Sequence, residues 1–245
     1  MIPKIIHYCW FGGSEKPPLI KKCIKSWQKK MPDYQLKEWN EANFDININL
    51  FVENAYKSKK WAFVSDYCRL WVLYNYGGIY LDTDMEILKS LDDFLNNNAF
   101  GGVEKGGDKD YINMAIWGCD KNDSFLQKVL DQYSSKNFDD YKGDLYELAI
   151  PKILTNTAIE EGFDLNKLPN LLLNKTVIYP SEYFYPKAHS WDKPIITRNT
   201  YSIHHYEGSW RTSYEIVRSK IKGILVKILG IKIANKVTEL IKKVI

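Results

Sequence analysis

The sequence lacks several features that would assign a function class directly. It has no cysteine pair of the C-x-x-C type, no internal repeat and no low-complexity linker, and no apolar run reaches the roughly 18 residues of a membrane-spanning helix. The four cysteines are therefore expected to be buried free thiols of a reducing compartment rather than zinc ligands or disulfides. The apolar run at the amino terminus is too short for a signal segment. These absences favour a cytoplasmic protein, or one on the cytosolic face of a membrane.

The main body of the sequence also lacks a strong excess of positive charge. Residues 214–245 hold eight basic and two acidic side chains, so the net charge of +4 leaves residues 1–213 slightly acidic. Nucleic acid is therefore excluded as a partner of the main body, because phosphate binding needs a concentrated positive surface. In the tail, Ile, Leu and Val alternate with Lys at near-helical spacing up to and beyond Gly230. This pattern predicts an amphipathic helical tail on an anionic membrane surface, or alternatively a stripe that docks on protein with its lysines in water.

What is present is a series of alternating strand and helix patterns, with enough hydrophobic residues (45%) for a sizeable core. This order predicts an α/β, Rossmann-like fold with a mostly parallel sheet flanked by helices. We expect one domain over residues 1–213, followed by the basic tail 214–245. The predicted strands are 2–10, 34–39, 79–88, 99–104, 112–118, 176–179 and 201–204, and the predicted helices are 18–30, 49–76, 123–133 and 145–161.

Two Asp-X-Asp motifs occur, and their surroundings differ. Asp82-Thr83-Asp84 follows the apolar run GGIYL, which places its carboxylates at the carboxyl end of a buried strand, where open α/β sheets bind ligands. Asp108-Lys109-Asp110 lies in a polar loop and is interpreted as solvated surface. Two carboxylates crowded at a sheet edge repel each other unless a cation is present. Oxygen ligands of this kind indicate Mn²⁺ or Mg²⁺ bridging phosphates.

Phosphate-bridging metals serve several chemistries, so alternatives stay open at this point. An aspartyl-phosphate type of phosphatase also places an Asp-X-Asp after an apolar strand. Here Met85-Glu86 follows the motif, and no suitable downstream Lys and acidic pair stands out, so a metal-dependent phosphatase or nucleotide-sugar hydrolase ranks second. A carbohydrate-binding or membrane scaffold protein with an inactive site ranks third.

The segment SDYCRLWVLYNYGGIYLDTD (residues 65–84) resembles family 32 glycosyltransferases. This family of DXD-motif sugar transferases includes enzymes encoded in bacterial capsule and surface-polysaccharide clusters, and it also includes yeast mannosyltransferases. The segment is more distantly similar to the catalytic domain of the large clostridial glucosylating toxins. Two further blocks, IPKIIHYCWFGG (2–13) and SIHHYEGSW (202–210), carry the resemblance in the expected order. It implies a GT-A fold, a nucleotide-sugar donor and transfer with retention of anomeric configuration.

The resemblance implies roles for residues near the amino terminus and in the long helix. Trp10 matches the ring that stacks on the nucleotide base, and the backbone of Cys9 would hydrogen-bond that base. Asp66 and Arg69 match the pair that holds donor-sugar hydroxyls and the diphosphate. Read from the residues alone, Trp10 is equally a core residue, and Asp66 with Arg69 a simple ion pair one helical turn apart.

The resemblance also implies a metal site. Tyr80 and Asp82 match positions near the ribose and metal, and Asp84 matches the direct metal ligand. His205 matches the position of a third metal ligand, and a neutral imidazole suits Mn²⁺ better than Mg²⁺. By strand alternation, His204 is expected to point the other way.

Four further residues complete the predicted site and its surroundings. Ser209 and Trp210 would close over the diphosphate as a lid that excludes water. Asn113 is a candidate for contact with the donor sugar. His7 is interpreted as a hydrogen-bonded core residue.

The expected reaction moves a hexose to a saccharide or lipid-linked saccharide acceptor in surface polysaccharide synthesis. A UDP-sugar is favoured as donor over GDP-mannose. In a retaining reaction the leaving phosphate oxygen takes the acceptor's proton, and no dedicated nucleophile is required. An inverting reaction would need a carboxylate base, for which Glu104, Asp110 and Asp144 are candidates.

Overall fold

The computed structural model describes residues 1–106, 109–141, 145–171 and 175–208, together with positions 221, 223, 225, 226 and 230. Within these residues, seven strands form one sheet in the order β2-β1-β3-β6-β5-β8-β7, and two strands, β4 and β9, form a separate ribbon. The strands are β1 Ile5–Cys9, β2 Gln35–Trp39, β3 Gly78–Leu81, β4 Met85–Ile87, β5 Ala99–Gly106, β6 Lys109–Cys119, β7 Asn170–Leu171, β8 Thr176–Tyr179 and β9 Ser202–His204.

The large sheet is mixed but mostly parallel. Strands β2, β1 and β3 pair in parallel, and β5 and β8 run in the same direction because the antiparallel β6 lies between β3 and β5. Only β6 and the edge strand β7 run against the others among the described strands. The predicted α/β fold with a mostly parallel sheet is confirmed.

Helices cover both faces of this sheet, as the prediction required. They are α1 Pro18–Lys30, α2 Leu50–Lys57, α3 Trp61–Tyr76, α4 Ser124–Ser134, α5 Ile150–Glu160 and the single turn α6 Ser181–Phe184. Successive residues of β3 face opposite layers, since Tyr80 belongs to the cluster of α2 to α5 and Ile79 and Leu81 belong to the cluster under α1 and α6. Side chains alternate across a strand in this way, so one short strand supplies both halves of the core.

Two predicted elements are divided in the structure. The helix expected over 49–76 breaks into α2 and α3 at Lys59, which has a positive φ of 55°. The strand expected over 79–88 ends at Leu81, turns, and resumes as β4 in the other sheet. In that turn the N–H of Met85 donates to the carbonyl of Asp82 at 2.9 Å. The division matters, because the acidic motif occupies a turn and not the middle of a strand.

The passage from α3 into β3 depends on two glycines. Gly77 and Gly78 have φ angles of 64° and 100°, which side chains with a Cβ rarely adopt. A Cβ on Gly78 would also lie 2.7 Å from the carbonyl oxygen of Ile5 in the neighbouring strand. The His7 ring stabilises the same junction. Its Nδ1 accepts from the indole N–H of Trp39 at 3.0 Å, and its Nε2 lies 2.9 Å from the carbonyl oxygen of Gly77. The expectation that His7 is a hydrogen-bonded core residue is confirmed.

The ribbon of β4 and β9 joins two distant parts of the chain. The strands are antiparallel, with Met85 opposite His204 and Ile87 opposite Ser202. Helix α1 holds β4 from the other side, because the indole of Trp27 donates to the carbonyl of Met85 at 2.6 Å and the Ser26 hydroxyl accepts from the N–H of Ile87 at 2.9 Å. The pairing therefore places residue 204 next to the acidic turn, Asp82-Thr83-Asp84.

The chain divides into two compact units. One comprises Met1–Ala188 and Pro194–His205, and the other comprises His189–Lys193 and the chain from Tyr206 onward. Within the second unit His189 stacks on Trp191 with ring centroids 4.7 Å apart, and a Cβ on Gly223 would lie 2.8 Å from the Trp191 side chain. The predicted boundary at 213 and most of the tail lie outside the described residues, so the domain division stays a prediction. None of the helices in the described part combines the length and apolarity that crossing a bilayer would need.

Candidate metal and donor site

The acidic turn lies at the carboxyl edge of the sheet, as the sequence predicted. Asp82 follows the last residue of β3, and its N–H donates to the carbonyl of Ala115 on β6 at 2.7 Å. Asp84 is buried and Asp82 is half-buried. Because β1 and β3 are parallel neighbours, Trp10 and Asp82 leave the sheet at the same edge. The motif and the amino-terminal block therefore lie at the same edge of the sheet.

A histidine completes this acidic pair, but it is His204 and not His205. The Nε2 atom of His204 lies 3.3 Å from Oδ1 of Asp84. One ligand atom from each of Asp82, Asp84 and His204 falls within 4.8 Å of the others. Both His204 and Asp84 are buried. Two carboxylate oxygens and an imidazole nitrogen this close together suit a divalent cation such as Mn²⁺.

The placement predicted for His205 is wrong. Its ring turns away from the acidic pair and its Nε2 lies 2.8 Å from Oε2 of Glu86. Glu86 also pairs with Lys22 at 3.0 Å. The cause is strand register, because Met85 lies opposite His204 and the next residue of the chain points to the other side of the ribbon. The sequence predicts that His204 points away from the acids, so His204 is the functional candidate that the sequence analysis misses.

The charge of the neighbouring carboxylates dominates the chemistry of His204. Burial by itself would lower the pKa of His204, but Asp84, and to a lesser degree Glu104, raise it to about 10. A protonated His204 ring and a metal cation would each neutralise the negative charge of these carboxylates, so the proton and the cation compete for the same place. The residues present thus fit a divalent cation, both in donor chemistry and in their demand for positive charge.

Arg69 links the predicted sugar-binding pair to the acidic turn. Its Nη2 lies 3.2 Å from Oδ1 of Asp66 and 3.1 Å from Oδ1 of Asp82. Its Nη1 lies 3.3 Å from Oδ2 of Asp82 and donates to the carbonyl of Met114 at 3.1 Å, while Nε donates to the carbonyl of Ser65 at 3.3 Å. All three guanidinium nitrogens therefore contact acceptors of the protein itself. The main role of Arg69 in this arrangement is therefore to hold the carboxylates of Asp66 and Asp82 in position, and not to donate hydrogen bonds to a ligand.

Asp66 has a buried carboxylate with two partners. Its Oδ2 accepts from the backbone N–H of Ile150 at the start of α5, at 3.1 Å, and its Oδ1 faces Arg69. Burial raises the pKa of Asp66 to about 6, although Arg69 and the Ile150 N–H both oppose the rise. The N-terminus of α5 as a partner was not foreseen from the sequence, because a contact between residues 66 and 150 depends on tertiary packing.

Tyr80 supports the same network from within the sheet. Its hydroxyl donates to Oδ1 of Asp82 at 3.0 Å, and its ring lies beneath the Arg69 guanidinium, 4.7 Å from ring centroid to Cζ. Asp82 is thus held by Tyr80 and Arg69 together. Asp84 is left as the carboxylate that faces His204.

The amino-terminal candidates differ in exposure. Cys9 is buried at the end of β1, whereas Trp10 is half-buried, with its indole N–H donating to the carbonyl of Ser14 at 2.7 Å. The Nζ of Lys16 lies 5.5 Å from the Trp10 ring. A ring that is anchored at its edge and not absorbed into the core can still present a surface for stacking.

Asn113 and Glu104 lie together behind His204. The Asn113 amide donates to Oε2 of Glu104, and the same Glu104 oxygen lies 3.5 Å from Nδ1 of His204. Asp110 is exposed at the start of β6. Ser209, Trp210, Asp108 and Asp144 lie outside the described residues, so the lid and the Asp144 alternative stay predictions.

A mixed sheet with an Asp-X-Asp turn at its carboxyl edge is the arrangement of GT-A glycosyltransferases. The solved structure titled PaToxG Glycosyltransferase shares this fold, with a TM-score of 0.53 and 22% sequence identity over 65% of this chain and 70% of that one. Residues 17–101 match the family model described as "Glycosyltransferase sugar-binding region containing DXD motif". The predicted GT-A fold is therefore confirmed, and residues 17–101 are similar to the sugar-binding region of DXD-motif glycosyltransferases.

Curated relatives match over about two fifths of the chain. An uncharacterised glycosyltransferase of Acanthamoeba polyphaga mimivirus is 33% identical over 106 residues, which is 41% of this chain and 42% of the relative. Inositol phosphoceramide mannosyltransferase 1 of Schizosaccharomyces pombe is 26% identical over 110 residues, or 40% of this chain and 33% of the relative. The chain thus spans less than half of the length of these relatives.

Proposed function

We propose that this protein is a metal-dependent glycosyltransferase that moves a hexose from a nucleotide-sugar to a saccharide or lipid-linked saccharide. The observation that carries the proposal is the convergence of Asp82, Asp84 and His204 within 4.8 Å at the carboxyl edge of a glycosyltransferase fold. Membership of family 32 and retention of configuration are part of the same proposal.

The three converging side chains would hold Mn²⁺ or Mg²⁺. When bound, such a cation supplies positive charge that neutralises a departing diphosphate. Arg69 would act beside it as a positioning residue, because its guanidinium contacts both Asp82 and Asp66. A buried carboxylate such as Asp66 accepts hydrogen bonds from sugar hydroxyls strongly, since little water competes for it.

The position of Trp10 supports a nucleotide at the same sheet edge. Its half-buried ring would stack on the base, and the Cys9 backbone would hydrogen-bond the base edge. Ser209 and Trp210 would exclude water above the diphosphate. The acceptor hydroxyl would then attack from the face that the diphosphate leaves, with the leaving phosphate oxygen taking its proton.

Donor and acceptor are proposed from two sources. A UDP-hexose is favoured by the block around Trp10. The Schizosaccharomyces pombe relatives are named as mannosyltransferases that act on inositol phosphoceramide, which supports a lipid-linked acceptor and makes GDP-mannose the second donor to test. With the basic tail at an anionic membrane, the proposed setting is surface polysaccharide synthesis on the cytosolic face.

The test is donor turnover by the purified full chain with Mn²⁺ and a panel of nucleotide-sugars. The proposal expects release of nucleoside diphosphate that rises when a saccharide acceptor is added. Asp84→Asn should abolish that release, whereas Asp120→Asn, an exposed carboxylate at the opposite sheet edge, should not change it. Release of inorganic phosphate from simple phosphoesters would instead identify a phosphatase. Saccharide binding without any turnover would identify a binding protein.

A further inference from the structure

A second layer of polar side chains lies behind His204, on the side away from Asp84. Nε2 of the imidazole faces Asp84 at 3.3 Å, and Nδ1 faces Oε2 of Glu104 at 3.5 Å. Glu104 is half-buried near the end of β5. The histidine is therefore placed between two carboxylates, one on each ring nitrogen.

The orientation of Glu104 is itself fixed by Asn113. The Asn113 Oδ1 accepts from the backbone N–H of Ala115 at 2.8 Å, so its Nδ2 must be the atom that donates to Glu104. The amide cannot be reversed without losing both hydrogen bonds. A backbone amide of β6 thus sets the direction of Asn113, which in turn sets the direction of Glu104.

The Tyr185 ring packs against the side of the His204 imidazole. Its ring meets the His204 ring edge-on with centroids 5.9 Å apart. The Tyr185 hydroxyl donates to the carbonyl of Asn113 at 3.0 Å and accepts from the N–H of Ile116 at 3.2 Å. The same strand therefore anchors both the carboxylate behind the ring and the aromatic side chain beside it.

We propose that Glu104, held by Asn113, is the positioning residue that orients His204 as a metal ligand. The proposal rests on the proposed glycosyltransferase function and deepens it. A carboxylate that lies against Nδ1 favours the tautomer with its proton on that nitrogen, so that the Nε2 lone pair points at the cation, and it increases the basicity of Nε2. Glu104 thereby acts through His204 and not as a general base, and Asn113 acts through Glu104 and not on the donor sugar.

The test is Mn²⁺ binding to the purified full chain by titration calorimetry, with pulsed electron paramagnetic resonance of the bound ion as a second readout. Glu104→Ala should weaken Mn²⁺ binding about 10- to 100-fold and reduce the imidazole nitrogen signal of the bound ion. Glu104→Gln keeps the shape and an oxygen acceptor, and should recover most of the loss. Thermal melting checks that each variant is folded.

The matched control is Glu86→Ala, because Glu86 forms the same kind of pair with the neighbouring His205. It should leave Mn²⁺ affinity and the nitrogen signal unchanged. A folded Glu104→Ala protein with wild-type Mn²⁺ affinity would overturn the inference and leave the proposed function standing. Conversely, the expected Mn²⁺ results without turnover of any nucleotide-sugar would overturn the function and leave the inference standing. A wild-type chain that binds no Mn²⁺ would overturn the inference outright.

Discussion

His204 and His205 are adjacent in sequence, and each lies against carboxylates, yet their settings are opposite. His204 is buried between Asp84 and Glu104, whereas His205 is partly exposed and pairs with Glu86. The two side chains leave opposite sides of the ribbon because successive residues of a strand alternate. Strand register, and not residue type, therefore decides which of the two histidines lies at the candidate metal site.

Removing the carboxylate next to each histidine should give the largest difference between the two sides of the ribbon. Asp84→Asn should lower kcat/KM by about 10³-fold, because an amide cannot supply the negative charge that holds the cation. Glu86→Gln should stay within about threefold of wild type, since it removes only a surface contact of His205. Steady-state kinetics with a fixed nucleotide-sugar and Mn²⁺ measures both. Equal losses in the two variants would mean that the two sides of the ribbon are not functionally distinct.

Substituting the histidines themselves is the next test. His204→Ala should lower kcat/KM by about 10²-fold and raise the Mn²⁺ concentration needed for half-maximal rate. His205→Ala should change either quantity by less than about threefold. The measurement is a Mn²⁺ titration of the initial rate. A larger loss in His205→Ala than in His204→Ala would reinstate the assignment that the sequence alone favoured.

His7 is a third histidine that is as buried as His204, but no carboxylate lies against its ring in the described structure. Burial lowers the pKa of His7 from 6.5 to about 4. The unfolded chain therefore binds a proton in the window from pH 6.5 down to about 4 that the folded chain does not bind. The contribution of His7 to the free energy of unfolding is therefore fully present above pH 6.5, and it is lost as the pH falls from 6.5 to about 4.

At pH 5 the expected cost at His7 is about 2 kcal/mol of unfolding free energy relative to pH 7. Comparing urea unfolding of wild type and His7→Gln at both pH values isolates the contribution, because all other titrating groups are shared. The His7→Gln protein should lose less stability on acidification than wild type. The same acid sensitivity in both proteins would contradict the assignment.

The smallest expected effect concerns the exposed side of the ribbon. Lys22 and Glu86 form a surface ion pair at 3.0 Å. Lys22→Ala should change the free energy of unfolding by less than about 0.5 kcal/mol, because water and salt screen such pairs. Chemical denaturation measures it. A loss above about 2 kcal/mol would show that this side of the ribbon is more than a solvated surface.

Local patterns were sufficient for much of the fold and for part of the site. Apolar runs ending in Gly or Asp located β1 and β3, and the Asp123 N-cap predicted for α4 is present, with its carboxylate accepting from Leu126 at 2.9 Å. The pairing of Asp66 with Arg69 follows from helical spacing alone. These features depend on neighbours in the chain, which a sequence displays.

The remaining features depend on pairings between distant residues. Nothing local says that Met85 lies opposite His204, and a slip of one residue would exchange the two histidines. The contacts of Asp66 with Ile150 and of His204 with Glu104 likewise need the packed sheet. Strand alternation correctly predicts that His204 and His205 point to opposite sides. Which of these sides faces Asp82 and Asp84 depends on the pairing of β9 with β4.

The ribbon of β4 and β9 also dictates an order of assembly during synthesis. The pairings of β1, β2, β3, β5 and β6 involve residues no later than 119, so most of the sheet can form while the chain is still being made. The imidazole arrives only once residue 204 has left the ribosome and its strand has docked beside Met85. A nascent chain would therefore carry the acidic turn before it carries His204, and the candidate metal site would be completed only when β9 pairs with β4.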